Sequence, residues 1–185
     1  MSGSTRYGSS LLTMSTFAIR TFGDPVLRQT ARSVEEIDGA LVALVDSMFT
    51  TMYAAPGVGL AAPQIGVAKR LFVYDAGDGP MALVNPSIVA ESGNWVYDEG
   101  CLSIPGMSFE IERPGNVTVE GIDLDGNPIV FEAEEFLARV FQHELDHLDG
   151  VLLFDHLTPE QRKDAFRVMR EQQLSPGIIP ATHRL

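Results

Sequence analysis

Residues 142–150 read Gln-His-Glu-Leu-Asp-His-Leu-Asp-Gly, and their core is His143-Glu144-x-x-His147. Histidines four apart share a face when the chain is helical, one turn above the other. Both imidazoles then reach one divalent cation, and Glu144 reaches a water on it. The same pattern also arises on solvated helix faces, so the rest of the chain has to supply what the motif lacks. A catalytic site of this type takes three protein ligands and keeps one position for water.

The third ligand comes from a short supply. The chain has four histidines, His143, His147, His156 and His183, and one cysteine, Cys101. A lone cysteine is commonly just a small buried hydrophobe. Cys101, however, sits in Asp98-Glu99-Gly100-Cys101-Leu102-Ser103-Ile104-Pro105-Gly106, a turn-like setting, and a bound cation deprotonates a thiol. The predicted ligands are Cys101, His143 and His147. His156, nine residues past His147, is the alternative fourth ligand that would make the site structural. His183 reads as solvent-exposed. The second imidazole nitrogens need acceptors. Glu99, Asp146 and Asp149 are the local acids, with Asp146 read as a solvated helix residue.

Residues 56–66, Pro-Gly-Val-Gly-Leu-Ala-Ala-Pro-Gln-Ile-Gly, make a poor helix and a poor central strand. They read as a shaped loop where backbone approaches a ligand. Gln64 is its one side chain that both donates and accepts hydrogen bonds.

Three segments occur in order: Gly57-Val58-Gly59-Leu60-Ala61-Ala62-Pro63-Gln64, Glu99-Gly100-Cys101-Leu102-Ser103 and Gln142-His143-Glu144-Leu145-Asp146-His147. Together with Gly23-Asp24-Pro25-Val26-Leu27-Arg28, this arrangement resembles the peptide deformylases, from about Phe17 to about Arg170. Leu102 matches the bacterial form of the motif. The resemblance implies removal of the formyl group from the N-terminal N-formylmethionine of new proteins, with release of formate. It implies attack by a metal-activated water, Glu144 as general base and then acid, and Leu102 N–H with the Gln64 amide as oxyanion donors. Val58, Leu60, Tyr97 and Val140 match positions lining the methionine pocket, and they also read as core. The peptide would lie extended beside Gly59 and Gly100. Arg113 reads as a contact for later peptide residues. The implied cofactor is Fe(2+), with zinc, nickel or cobalt as replacements in a purified sample.

Net charge is −12, from 25 acidic and 13 basic residues, which disfavours a nucleic-acid surface. One cysteine forms no internal disulfide and points to a reducing cytoplasm. No apolar run approaches the roughly 20 residues of a membrane span, and residues 1–13 lack the sustained apolar stretch of a secretory signal. Residues 158–185 carry Arg162, Lys163, Arg167, Arg170 and Arg184 against Glu160, Asp164 and Glu171. In the family such a segment can dock near the ribosomal exit tunnel. The preferred reading here is a solvated amphipathic helix.

The expected fold is α+β, with antiparallel sheets around a central metal-binding helix, one helix before it and one after. Residues 1–15 read as a disordered extension, 16–174 as a single catalytic domain and 175–185 as a tail. A helix over 38–54 is predicted from Leu41, Val42, Leu44, Val45, Met48, Phe49 and Met52, with Asp38 as cap. Strands are predicted at 70–74, 81–85, 87–91, 94–98, 101–104, 108–112, 116–122 and 128–133. The metal helix should cover 134–147, stopped by Asp149-Gly150. Thr158-Pro159 should open a last helix to about 174. Two other functions fit parts of the pattern. One is an HExxH metallopeptidase, against which an upstream cysteine ligand argues. The other is a non-catalytic structural metal-binding module closed by His156.

Overall fold

The computed structural model describes residues 16–174. The expected N-terminal extension, the C-terminal tail and His183 lie outside the described residues. The order of elements is α1 (Gly39–Ala54), β1 (Gly59–Ala61), β2 (Leu71–Tyr74), β3 (Met81–Ser92), β4 (Trp95–Cys101), β5 (Ile104–Arg113), β6 (Asn116–Ile122), β7 (Pro128–Glu134), α2 (Glu135–Asp149) and α3 (Pro159–Leu174). Short 3-10 turns occupy Pro25–Arg28, Ala62–Ile65 and Leu153–His156. The strands form a five-stranded antiparallel sheet, ordered β1-β2-β3-β6-β7, and a separate β4-β5 hairpin. This is the α+β architecture expected.

Local chemistry accounts for the helix ends. The Asp38 carboxylate accepts the Leu41 N–H at 2.8 Å and caps α1. Thr158 Oγ1 accepts Gln161 N–H at 3.2 Å while Gln161 Oε1 accepts Thr158 N–H at 2.9 Å, a reciprocal box that opens α3. Gly150 ends α2 in the left-handed region at φ 75°. A side chain there would also meet the Arg28 carbonyl at 2.8 Å, so glycine is required twice over.

Three expectations change. The two strands foreseen at 81–85 and 87–91 are one strand, β3, with register shifts at Val84/Ser87 and Ile88/Ala90. Pro86 cannot donate to a ladder, and the irregularity absorbs it; its carbonyl instead accepts Arg70 Nε at 3.0 Å. The segment 101–104 is no strand. It is the tight connection between β4 and β5, with Cys101 paired to Ile104 and a register shift after Gly100. The glycine-rich loop holds a three-residue edge strand, β1, followed by a 3-10 turn.

α1 buries Leu41, Val45, Met48, Phe49 and Met52 in one core cluster with Leu60, Leu71, Val73 and Leu102, with Leu44 half-buried beside it. α2 places Val140, Phe141, Leu145 and Leu148 against Phe72, Leu83, Val117 and Val119 of the large sheet. Cys101 and Ile104 join Leu153, Phe154 and Ala165 in a third cluster under α3. The hairpin and β1 thus flank α2, whose polar face fills the space between them.

Candidate metal centre

That polar face is almost wholly out of solvent. Arg139, Gln142, His143, Glu144 and His147 are each buried, at 6% exposure or less. Uncompensated, such groups would unfold the helix packing, so their partners define the site.

The ligand atoms of Cys101, His143 and His147 lie within 4.8 Å of one another. Cys101 Sγ is 3.2 Å from His147 Nε2. His143 turns its Nδ1 to Glu99 Oε1 at 2.6 Å, which leaves Nε2 for the cluster. Burial opposes ionisation of the Cys101 thiol, but the two imidazoles outweigh it and bring the thiol down to about 5. Burial likewise works against a charged His143, and Cys101 and Glu99 overcome it, raising that imidazole well above its ordinary value. The pocket therefore stabilises a thiolate and calls for positive charge beside it. A buried thiolate with two imidazoles is the donor set of a borderline-soft divalent cation. The residues fit such an ion.

Glu144 lies against β1. A Cβ on Gly59 would stand 2.3 Å from Glu144 Oε1, so only glycine admits the carboxyl there. Glu144 Oε2 is buried and has no hydrogen-bond partner among the described residues. Burial pushes this carboxyl up to about 7, with the two imidazoles working the other way. Gln64 is fully enclosed. Its Oε1 accepts Ala61 N–H at 2.8 Å, and Nε2 donates to Ser103 Oγ at 3.2 Å while lying 3.9 Å from Cys101 Sγ. Leu102 follows Cys101 in the turn, and its Cδ1 would clash at 2.7 Å with any Cβ on Gly57.

The other foreseen residues divide. Val140 and Val58 share one apolar cluster, with Val58 at its partly open edge. Leu60 lies in the neighbouring cluster beside Leu102. Tyr97 stands further out, stacked on Trp95 at 4.7 Å and edge-on to Phe136 at 6.0 Å. Gly59 and Gly100 are buried on β1 and β4.

Several expectations are corrected. His156 does not join the ligand cluster; its Nε2 is 2.7 Å from Asp146 Oδ2. Asp146 is no free solvated residue, because Arg113 Nη1 also reaches that oxygen at 2.8 Å. Arg113 is not a peptide-facing group. It is buried, and its Nε and Nη2 grip both oxygens of Glu99 at 2.9 and 2.7 Å. Asp149 serves Arg70 at 2.6 Å rather than an imidazole. Of these three acids, Glu99 is the one that meets His143. Burial disfavours its charge, yet His143 and Arg113 hold its carboxyl well below the usual range.

Arg139 escaped the sequence reading. Its Nη1 reaches Glu99 Oε2 and the Ile111 carbonyl, each at 3.0 Å, and its Nη2 reaches the Trp95 carbonyl at 2.5 Å. The signal was available: Arg139 sits four residues before His143, on the same helical face, and a buried cation there demands an anion.

The family model described as Polypeptide deformylase matches residues 16–163. The chain belongs to the peptide deformylase family. A peptide deformylase of Acidothermus cellulolyticus is 51% identical over 156 residues, covering 84% of this chain and 86% of that protein. The crystal structure of a peptide deformylase from Legionella pneumophila superposes with a TM-score of 0.82 at 40% identity, over 89% of this chain and 99% of the other. One from Ehrlichia chaffeensis, solved in complex with actinonin, gives 0.82 at 37% identity over 86% and 98%. Peptide deformylases are metal-dependent hydrolases, and Cys101, His143 and His147 form a buried cluster that could hold a metal ion.

Proposed function

We propose that Cys101, His143 and His147 hold the metal and that Glu144 handles the protons of the reaction. The chain is a metal-dependent hydrolase that removes the formyl group from N-formylmethionyl peptides. The observation that carries the assignment of roles is the convergence of three buried ligand atoms beside a carboxyl oxygen with no partner.

A divalent cation bound there would polarise the formyl oxygen and acidify water. Glu144, pressed on Gly59, takes a proton from the attacking water and returns it to the leaving nitrogen. A carboxyl lifted to about 7 exchanges protons readily near neutrality. The Gln64 amide and the Leu102 N–H receive the developing oxyanion; each such donor is worth about 10²–10³ in rate. Ser103 and Ala61 fix the Gln64 amide, so it needs little reorganisation. Val58, Leu60, Tyr97 and Val140 form the walls for the methionine side chain. Gly59 and Gly100 let the peptide backbone lie close.

The working ion is Fe(2+), with zinc, nickel or cobalt able to occupy the same ligands in purified protein. Residues 16–174 act as one catalytic domain. The single cysteine and its need to stay reduced suit the cytoplasm. Among the described residues no helix is long and apolar enough to cross a membrane. The basic residues of α3 are the segment to test for ribosome contact.

The test pairs metal analysis of protein purified without air with formate release from formyl-Met-Ala-Ser. Glu144→Ala should keep one metal per chain and lose about 10²–10⁴ in turnover. Undiminished formate release in that variant removes Glu144 from its role. Iron absent from active anaerobic protein removes iron.

A further inference from the structure

Two side chains that the reaction does not use are nevertheless tied to the metal centre. Asp146 follows Leu145 on α2, and His156 ends the 3-10 turn Leu153–His156. Asp146 Oδ2 meets both His156 Nε2, at 2.7 Å, and Arg113 Nη1, at 2.8 Å. The inner edge of the same guanidinium holds Glu99. Glu99 in turn receives His143 Nδ1. An unbroken run of four contacts thus leads from partly exposed His156 to the ring of a metal ligand.

The charges balance along it. Glu99 and Asp146 are negative, Arg113 and Arg139 positive, and the sum is zero when both imidazoles are neutral. Removing the charge of Asp146 leaves one net positive charge beside a centre meant for a cation. It also frees one end of a rigid planar fork. With Nη1 fixed, the angle at which Nε and Nη2 face Glu99 is set; with Nη1 loose, it is not.

We propose that Asp146, seated by His156, is a positioning residue of the metal centre. It pins the outer nitrogen of Arg113, so that Arg113 fixes Glu99 and Glu99 fixes the His143 ring. This rests on the reading that Cys101, His143 and His147 hold the metal. His156, weighed above as a structural fourth ligand, thereby acquires a different part, three side chains removed from the ligand it steadies.

The experiment loads wild-type protein and variants with Co(II), records the visible cobalt bands, and follows cobalt release to excess EDTA. Partners directly behind a metal ligand are worth about 10–100-fold in affinity, and Asp146 stands one contact further out. Asp146→Asn should therefore release cobalt about tenfold faster, at the lower edge of that range, with altered cobalt bands. Asp149→Asn makes the same charge change three residues on, where the partner is Arg70, and should match wild type. His156→Ala, at a partly exposed position, should shift release and bands in the direction of Asp146→Asn by a smaller factor. Wild-type release and spectrum in Asp146→Asn overturn the proposal, as does equal acceleration by Asp149→Asn. Should Asp146→Asn fail to fold, unchanged release and bands in His156→Ala overturn it instead. Wild-type protein that binds no cobalt sinks the ligand assignment and this inference with it, whereas cobalt bound alike in all variants sinks only the inference.

Discussion

α2 and α3 are nearly equal in length and both rich in charge, yet they use charge in opposite ways. On α2, Arg139, His143, Glu144 and His147 are buried; Arg139 and His143 meet Glu99 and His147 meets Cys101, while Glu144 Oε2, Arg139 Nε and His147 Nδ1 have no hydrogen-bond partner among the described residues. On α3, Arg167 pairs with Asp164 at 3.5 Å and Glu171 at 3.3 Å, all three side chains more than 60% exposed. α3 docks through Ala165, Val168 and Met169, with the Phe166 ring tilted against Phe22 at 5.6 Å and Phe154 at 5.1 Å. A buried charge must be matched in place and so becomes a fixed tool; an exposed charge is matched by water and stays replaceable. For these described residues of α3 the solvated-face reading agrees with their exposure.

The sharpest way to break this contrast is Glu99→Ala. It leaves Arg113 and Arg139 buried without their anion, and should cost about 3–5 kcal/mol in urea unfolding of the metal-free protein. A loss under about 1 kcal/mol would mean that the charges of α2 are no more fixed than those of α3. The same carboxyl sets an acid limb. Glu99 and Asp146 both have folded values below their ordinary 4.5 and 3.8. Their contribution is complete above those values and is lost as pH falls through the lower folded ones. Metal-free wild type should therefore weaken steadily on acidification below about pH 4, and Glu99→Gln should flatten that slope.

A smaller effect is expected at the opening of α3. Thr158→Ala removes the side-chain acceptor of the capping box and should cost about 1 kcal/mol in thermal or urea unfolding. Smallest of all, Arg167→Ala should change stability by less than about 0.5 kcal/mol, vanishing in high salt. A larger, salt-independent loss would show that α3 holds its charges as α2 does.

Much of this was legible beforehand because it is local. Asp38, Thr158 and Gly150 sit where caps belong, and β6 and β7 alternate cleanly, so their ends were read closely. The motifs around Cys101 and His143 also named the three side chains that the fold brings within 4.8 Å of one another. The bulged course of β3 was not readable, since Pro86 signals a break and only pairing with β2 and β6 on either side keeps the strand whole. The fates of Arg113, Asp146 and His156 were equally hidden. Each is an ordinary polar residue in sequence, and each acquires its meaning from a partner that the fold brings up from 10 to 33 positions away.

The sequence alone determined the chemistry on offer: two imidazoles one helical turn apart, one thiol, one adjacent carboxylate, and glycines where backbone and side chain must nearly touch. Only the tertiary structure decided which acid stands behind which imidazole. Spacing along a helix fixes a side chain's direction, but a buried charge takes its partner from whatever the packing carries within about 3 Å, and that is a property of the whole chain.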